Sequence, residues 1–186
     1  MKIFLSVVIT IIVIIIIGLI YINSGSYDVS AANKDEGLSK WVLETTMENS
    51  VEHHAKDIQV PPDLGDSAYI WTGFNHYVRM CGCHGGPGRP EESRYNPPAP
   101  KLTKSANDWK PNELFWIVKN GVKMSAMPSF GNGHNDNDIW QIVAFLEKFP
   151  SMSTDQYNEW FQKAREQMMS ERFGGGGGNK NEKHGS

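Results

Sequence analysis

The sequence predicts an all-α protein, with one apolar membrane segment followed by a body of short helices and long loops. Three observations carry this. Ile3–Ile22 is a run of 20 residues without a charge. Beyond it, apolar residues recur every three or four positions beside helix caps and stops, and no stretch alternates as a strand does. The 186 residues include only two cysteines, so no disulfide framework stands in for a core.

Composition narrows the function classes. Hydrophobic residues make up 39% and charged residues 21%, which suits a small globular domain rather than a disordered chain. Eighteen Lys and Arg against 21 Asp and Glu give a net charge of -3. That balance provides no general basic surface for nucleic acid.

Taken in order, Ile3–Ile22 reaches about 30 Å as a helix, the thickness of a bilayer core. It is longer than the apolar region of a cleaved signal peptide, about 7–15 residues. The expectation is therefore an uncleaved anchor. Lys2 before it and Asp28 after it place the N-terminus inside and the body outside, in the periplasm or on the outer surface. Asn23 to Lys34 reads as a polar linker. Leu38, Trp41, Val42, Met47, Val51, Ala55 and Ile58 predict an amphipathic helix that stops before Pro61-Pro62. His53 and His54 lie on it as solvated residues.

Asp66 is a good N-cap for the next helix, whose face runs Ile70, Phe74, Tyr77, Cys81. Gly73 inside it costs about 1 kcal/mol relative to alanine, a loss that a closely crossing helix would offset. Gly82 to Pro100 is too rich in Gly and Pro for regular structure. Pro111 at N1 opens a helix through ELFWIVKN that stops at Gly121. Another begins after Asp136 or Asn137, carries Ile139, Trp140, Val143, Ala144 and Leu146, and ends before Pro150. Ser153 and Gln156 form a capping box for the last helix, with Tyr157, Trp160, Phe161, Ala164 and Met168 on one side. The Gly-rich tail from Gly174 has nothing to bury. Short helices with long loops enclose little core alone, so a large apolar ligand at the centre is expected.

Chemistry concentrates at two places. Cys81-Gly82-Cys83-His84 packs two thiols and an imidazole at a helix end. Covalent haem attachment is the favoured reading, with each thiol adding to a vinyl group and His84 ligating iron. Copper or zinc held by the thiolates and His84, or a redox-active cysteine pair, are the alternatives. Met124-Ser125-Ala126-Met127-Pro128 places soft thioether ligands in a polar loop, where core filling does not explain them. Trp109 and Trp116 flank a turn from which an indole N–H reaches a haem propionate, or else they pack in the core. His134 to Asp138 reads as a turn and helix cap. No nucleophile–base pair, phosphate loop or catalytic carboxylate pair is present.

The chain from roughly Trp41 to Trp160 resembles the membrane-anchored, single-haem class I cytochromes c of bacterial envelopes. The residues that carry the resemblance include Gly73, Tyr77, Cys81, Cys83-His84-Gly85, Pro98-Ala99-Pro100 and Glu113 to Lys119. They continue through Gly121 to Met124, Met127-Pro128, Phe130-Gly131 and Ile139 to Leu146. The resemblance implies one haem c held by thioethers at Cys81 and Cys83, with His84 proximal and Met127 distal. It also implies that the Pro100 carbonyl accepts the His84 Nδ1–H, that Leu102 lines the pocket and that Gly73 faces the helix carrying Trp140 and Ala144. The family has two residues between the cysteines and this chain has one. Gly82 is the residue expected to absorb that contraction.

The expected organisation is an anchor over 1–22, a linker and amphipathic helix over 23–64, and a cytochrome c domain over 65–150. A C-terminal helix over 151–173 and a Gly-rich tail over 174–186 complete it. The expected activity is electron transfer to and from redox proteins or a membrane respiratory complex, without catalysis. The alternatives are a copper-binding or copper-delivery module using Cys81, Cys83, His84, Met124 and Met127, and a haem-based redox or gas sensor in which Met127 dissociates.

Overall fold

The computed structural model describes residues 1–30, 32–33 and 37–174. The tail beyond Gly174, expected to bury nothing, lies outside the described residues. The chain divides into two units, Met1–Asp35 and Glu36–Ser186. The first unit is α1 (Lys2–Asn23), an apolar helix long enough to cross a membrane. None of its residues is buried within the protein.

The second unit contains α2 (Gly37–Ala55), α3 (Ser67–Met80), α4 (Leu102–Ser105), α5 (Pro111–Asn120), α6 (Asp136–Lys148) and α7 (Thr154–Gly174). Among the described residues there is no strand; a lone bridge pairs Gly86 with Arg89.

The centre of this unit is the crossing of α3 on α6. Asp66 starts α3 as expected, its carboxylate accepting from the backbone N–H groups of Ala68 and Tyr69 at 2.8 and 3.0 Å. Asp66→Ala should therefore cost about 1 kcal/mol, read as a lower denaturation midpoint with an unchanged slope. Gly73 lies where the helices touch: a Cβ there would meet the Gln141 carbonyl oxygen at 1.8 Å. Around this contact Phe74 meets Phe145 edge-on at 5.2 Å, and Tyr77 lies 5.0 Å from both Phe145 and Phe149. These rings are almost completely buried.

α5 opens on Pro111 and closes at Gly121, as the sequence predicts. Its buried Glu113 accepts from the Lys110 N–H at 2.8 Å and from Lys110 Nζ at 2.9 Å, so the carboxylate has partners. Phe115 stacks on Trp140 of α6 at 4.2 Å. The N-cap of α6 is Asn135, one residue ahead of the expected Asp136 and two ahead of Asn137. Asn135 and Asp138 cap each other's backbone N–H, at 3.1 and 3.2 Å, and that reciprocal pairing fixes the start. One half of the capping box expected for α7 is present, the Gln156 N–H donating to Ser153 Oγ at 3.2 Å.

α2 differs from its expected form. It ends at Ala55, short of Ile58, and only Val51 and Ala55 are buried, while Leu38 is 74% and Trp41 62% exposed. The reason is angular. At about 100° per residue, Val51 has turned roughly 220° from Leu38, so steps of three to five do not keep one face. The end that packs is the C-terminal one. There the Asn112 side chain donates to the Ala55 carbonyl at 2.8 Å, and His54 stacks flat on Trp116 at 5.5 Å.

Candidate functional site

Cys81 caps the C-terminus of α3, its N–H donating to the Tyr77 carbonyl at 2.8 Å. The chain then makes one tight 3-10 turn over Gly82–His84. This turn converts the helix axis into the loop direction and sets the two cysteines apart. Cys81 is buried against the core, and Cys83 is exposed. Burial, reinforced by the neighbouring Cys83 sulfur, pushes the Cys81 thiol up to about 12. Gly82 itself has an ordinary φ, and a Cβ there would meet nothing within 4 Å. The backbone thus makes no use of the freedom that the contraction between the cysteines was expected to require at this position.

His84 Nδ1 lies 3.0 Å from the carbonyl oxygen of Pro100. A carbonyl only accepts, so Nδ1 carries the proton and Nε2 presents a lone pair. Burial lowers the imidazole's proton affinity, partly offset by this bond, and so favours the neutral form that can ligate a metal. Two further bonds hold the loop after His84. The Tyr77 hydroxyl donates to the Gly85 carbonyl at 2.9 Å, and the Glu92 N–H donates to the Cys83 carbonyl at 2.7 Å.

The methionine loop closes on the C-terminus of α5. The Val122 N–H donates to the Met127 carbonyl at 3.2 Å, and Ser125 Oγ bridges the turn by donating to the Val122 carbonyl at 2.7 Å while accepting from the Met127 N–H at 3.1 Å. This geometry separates the two thioethers. Met124 has a positive φ of 57° and is 79% exposed. Met127 is half-buried and packs against the same apolar cluster that contains Cys81; Leu102 packs against that cluster as well.

The remaining candidates have ordinary roles. Trp116 covers His54, Trp109 packs on the core cluster, and His134 Nδ1 contacts the Phe130 carbonyl at 3.2 Å just before the cap of α6. Among the described residues, no group of three or more His, Cys, Asp or Glu side chains is placed to hold a metal ion. Copper held by thiolates and imidazole draws no support from such an arrangement.

The donor set fits haem better. One imidazole has its proton fixed by a carbonyl, one half-buried thioether packs at the core edge, and two thiols leave the same helix end. Sequence reasoning missed how α7 covers this loop. Its Tyr157 ring lies so close to Gly86 that a Cβ there would be 2.5 Å from Cζ.

Residues 70–146 match the family model described as cytochrome C oxidase, cbb3-type, subunit III. No curated protein and no solved structure matches the chain. The matched segment opens inside α3, includes the Cys81–His84 turn and the Met127 loop, and closes within α6.

Proposed function

We propose that this chain, which carries a c-type cytochrome domain of the class I family over residues 70–146, is a membrane-tethered carrier of single electrons holding one haem c. The observation that carries the reading is the 3.0 Å contact of His84 Nδ1 with the Pro100 carbonyl. It fixes the tautomer and ring plane of an imidazole one residue after a cysteine pair.

In this reading Cys81 and Cys83 would hold haem through thioethers, His84 through Nε2 and Met127 through its thioether sulfur. Haem, when bound, supplies an iron centre that takes up and releases one electron. The protein's part is to hold that centre still and dry. Pro100 orients His84, Tyr77 pins the Gly85 carbonyl, and Ser125 shapes the turn that presents Met127. Phe74, Phe145 and Phe149 support the site with rigid aromatic packing. If His84 and Met127 both held the iron, the chain itself would occupy the places a substrate would need, which would favour transfer over catalysis.

α1 is the tether, with the N-terminus inside and the body in the periplasm or on the outer surface, on the evidence of Lys2 and Asp28. The match to an oxidase subunit supports a membrane respiratory complex as the redox partner.

The test is direct. The detergent-extracted full chain should show a pyridine haemochrome spectrum of the doubly attached type and a denatured mass raised by one haem. No titratable thiol should remain. One free thiol with a spectrum shifted to longer wavelength would mean a single thioether. A polypeptide mass without haem would overturn the proposal.

A further inference from the structure

The family match ends at residue 146, and α7 begins only at Thr154. α7 nevertheless packs closely on the loop that leaves His84. Its residues at positions 154, 157, 158 and 161 fall at helical spacings i, i+3, i+4 and i+7, a single stripe. Every one of them touches the segment Gly86–Arg89. The Tyr157 ring occupies the space where a Gly86 side chain would be, and Thr154 Cγ2 lies 2.8 Å from where a Gly88 Cβ would be. The Arg89 guanidinium lies 3.7 Å above the Phe161 ring and 5.6 Å from that of Tyr157, with Nη2 3.5 Å from Asn158 Oδ1.

The loop side is built to receive this stripe. Gly86 and Arg89 exchange backbone hydrogen bonds, Gly86 N–H to the Arg89 carbonyl at 3.2 Å and Arg89 N–H to the Gly86 carbonyl at 2.8 Å. This small closed turn is a rigid block two residues from His84. Arg89 has only weak polar pairing here, so its stacking on two aromatic rings is what seats it. Elsewhere α7 is tied to α3 independently. Trp160 meets Trp71 and Phe74 edge-on at 5.4 Å, and Arg79 pairs with Glu171 at 2.8 Å.

We infer that α7 is a brace added to the cytochrome domain, in which Tyr157 and Phe161 are positioning residues for His84. They clamp the Gly86–Arg89 turn, and that clamp fixes the backbone from which the imidazole projects. The inference rests on the reading of His84 as the ligand. It predicts that loosening the stripe frees the loop locally and disturbs the ligation geometry before it unfolds the domain.

The experiment compares Phe161→Ala with Trp160→Ala in the full holo-chain, because the ring contacts of Trp160 are with Trp71 and Phe74 of α3. Phe161→Ala should speed hydrogen exchange of the Gly85, Gly86 and Arg89 amides roughly tenfold while amides of α6 keep their protection. It should also broaden the low-spin electron paramagnetic resonance signal and shift the reduction potential. Trp160→Ala should lower global stability and leave both local readouts as in the wild type. Phe161→Tyr should restore wild-type behaviour, since it keeps the ring under Arg89. If Tyr157→Ala fails to fold, Arg89→Ala tests the same clamp from the other side and should match Phe161→Ala.

Exchange of the loop amides within twofold of wild type in Phe161→Ala and Arg89→Ala, or an equal rise in Trp160→Ala, would overturn the brace. The wild-type spectrum tests His84 ligation separately, and the exchange rates test the clamp whatever that spectrum shows.

Discussion

Gly73→Ala is expected to destabilise the folded protein by about 3 kcal/mol, although alanine is the better helix former by about 1 kcal/mol. The added methyl would lie 1.8 Å from the Gln141 carbonyl oxygen, 2.4 Å from its carbon and 3.1 Å from the Ile142 nitrogen. All three are backbone atoms inside α6, so no side-chain rotation relieves the clash. α3 and α6 must separate instead. That separation loosens Phe74 and Tyr77 against Phe145, at 5.2 and 5.0 Å, and thins the aromatic packing between the two helices. Gly73→Val should be worse, because its two Cγ atoms meet the same wall. Against a typical domain stability of about 5–15 kcal/mol, losses of this size are large. Guanidinium unfolding of the holo-protein followed by tryptophan fluorescence measures them. An alanine variant within about 0.5 kcal/mol of wild type would show that the helices do not meet here as described.

Met127→Ala is expected to abolish the sulfur-to-iron charge-transfer absorption of the oxidised protein. Its reduction potential should fall on the order of a tenth of a volt, a modest part of the roughly 0.8 V that axial ligands span. Met124→Ala should leave both properties unchanged. The two residues have the same chemistry but different settings. Met127 packs against the core cluster and is followed by Pro128, whose ring fixes the chain direction, whereas Met124 points into solvent from a backbone with positive φ. Loss of the band on replacing Met124 but not Met127 would reverse the assignment.

What could be read from the sequence was local. Asp66, Pro111, Gly121 and Ser153 mark helix ends because caps and stops act within one turn of the residue that makes them. Gly73 was legible as a close crossing because a glycine in mid-helix is costly unless something approaches it. The start of α6 differs from the expected one by one or two residues, since Asn and Asp both cap well and four of them lie together. α4 is a single turn between loops, too short to show a period. The grip of α7 on Gly86–Arg89 had no local signal, because the segments involved are about 70 residues apart, as in the pair Arg89 and Asn158. The first half of α2 carried an apolar pattern that the core does not use. At the candidate site, Cys81, Cys83 and His84 stand out by residue type alone, while the separation of Met127 from Met124 needs the course of the loop.

Under the proposed reading, the short stretch between α1 and α2 has a consequence for how an electron carrier would find its partners. Residues 24–36 join the two helices and, even fully drawn out, span at most about 47 Å. If α1 spans a bilayer, as proposed, chain length alone would set that limit on the distance of α2 from the lipid surface. Diffusion is then lateral, and encounter depends on the surface density of the two proteins rather than on their bulk concentration. A donor or acceptor fixed in the same membrane would then see a tethered carrier at high effective concentration, and even weak docking would suffice for rapid turnover. A soluble partner has no such advantage.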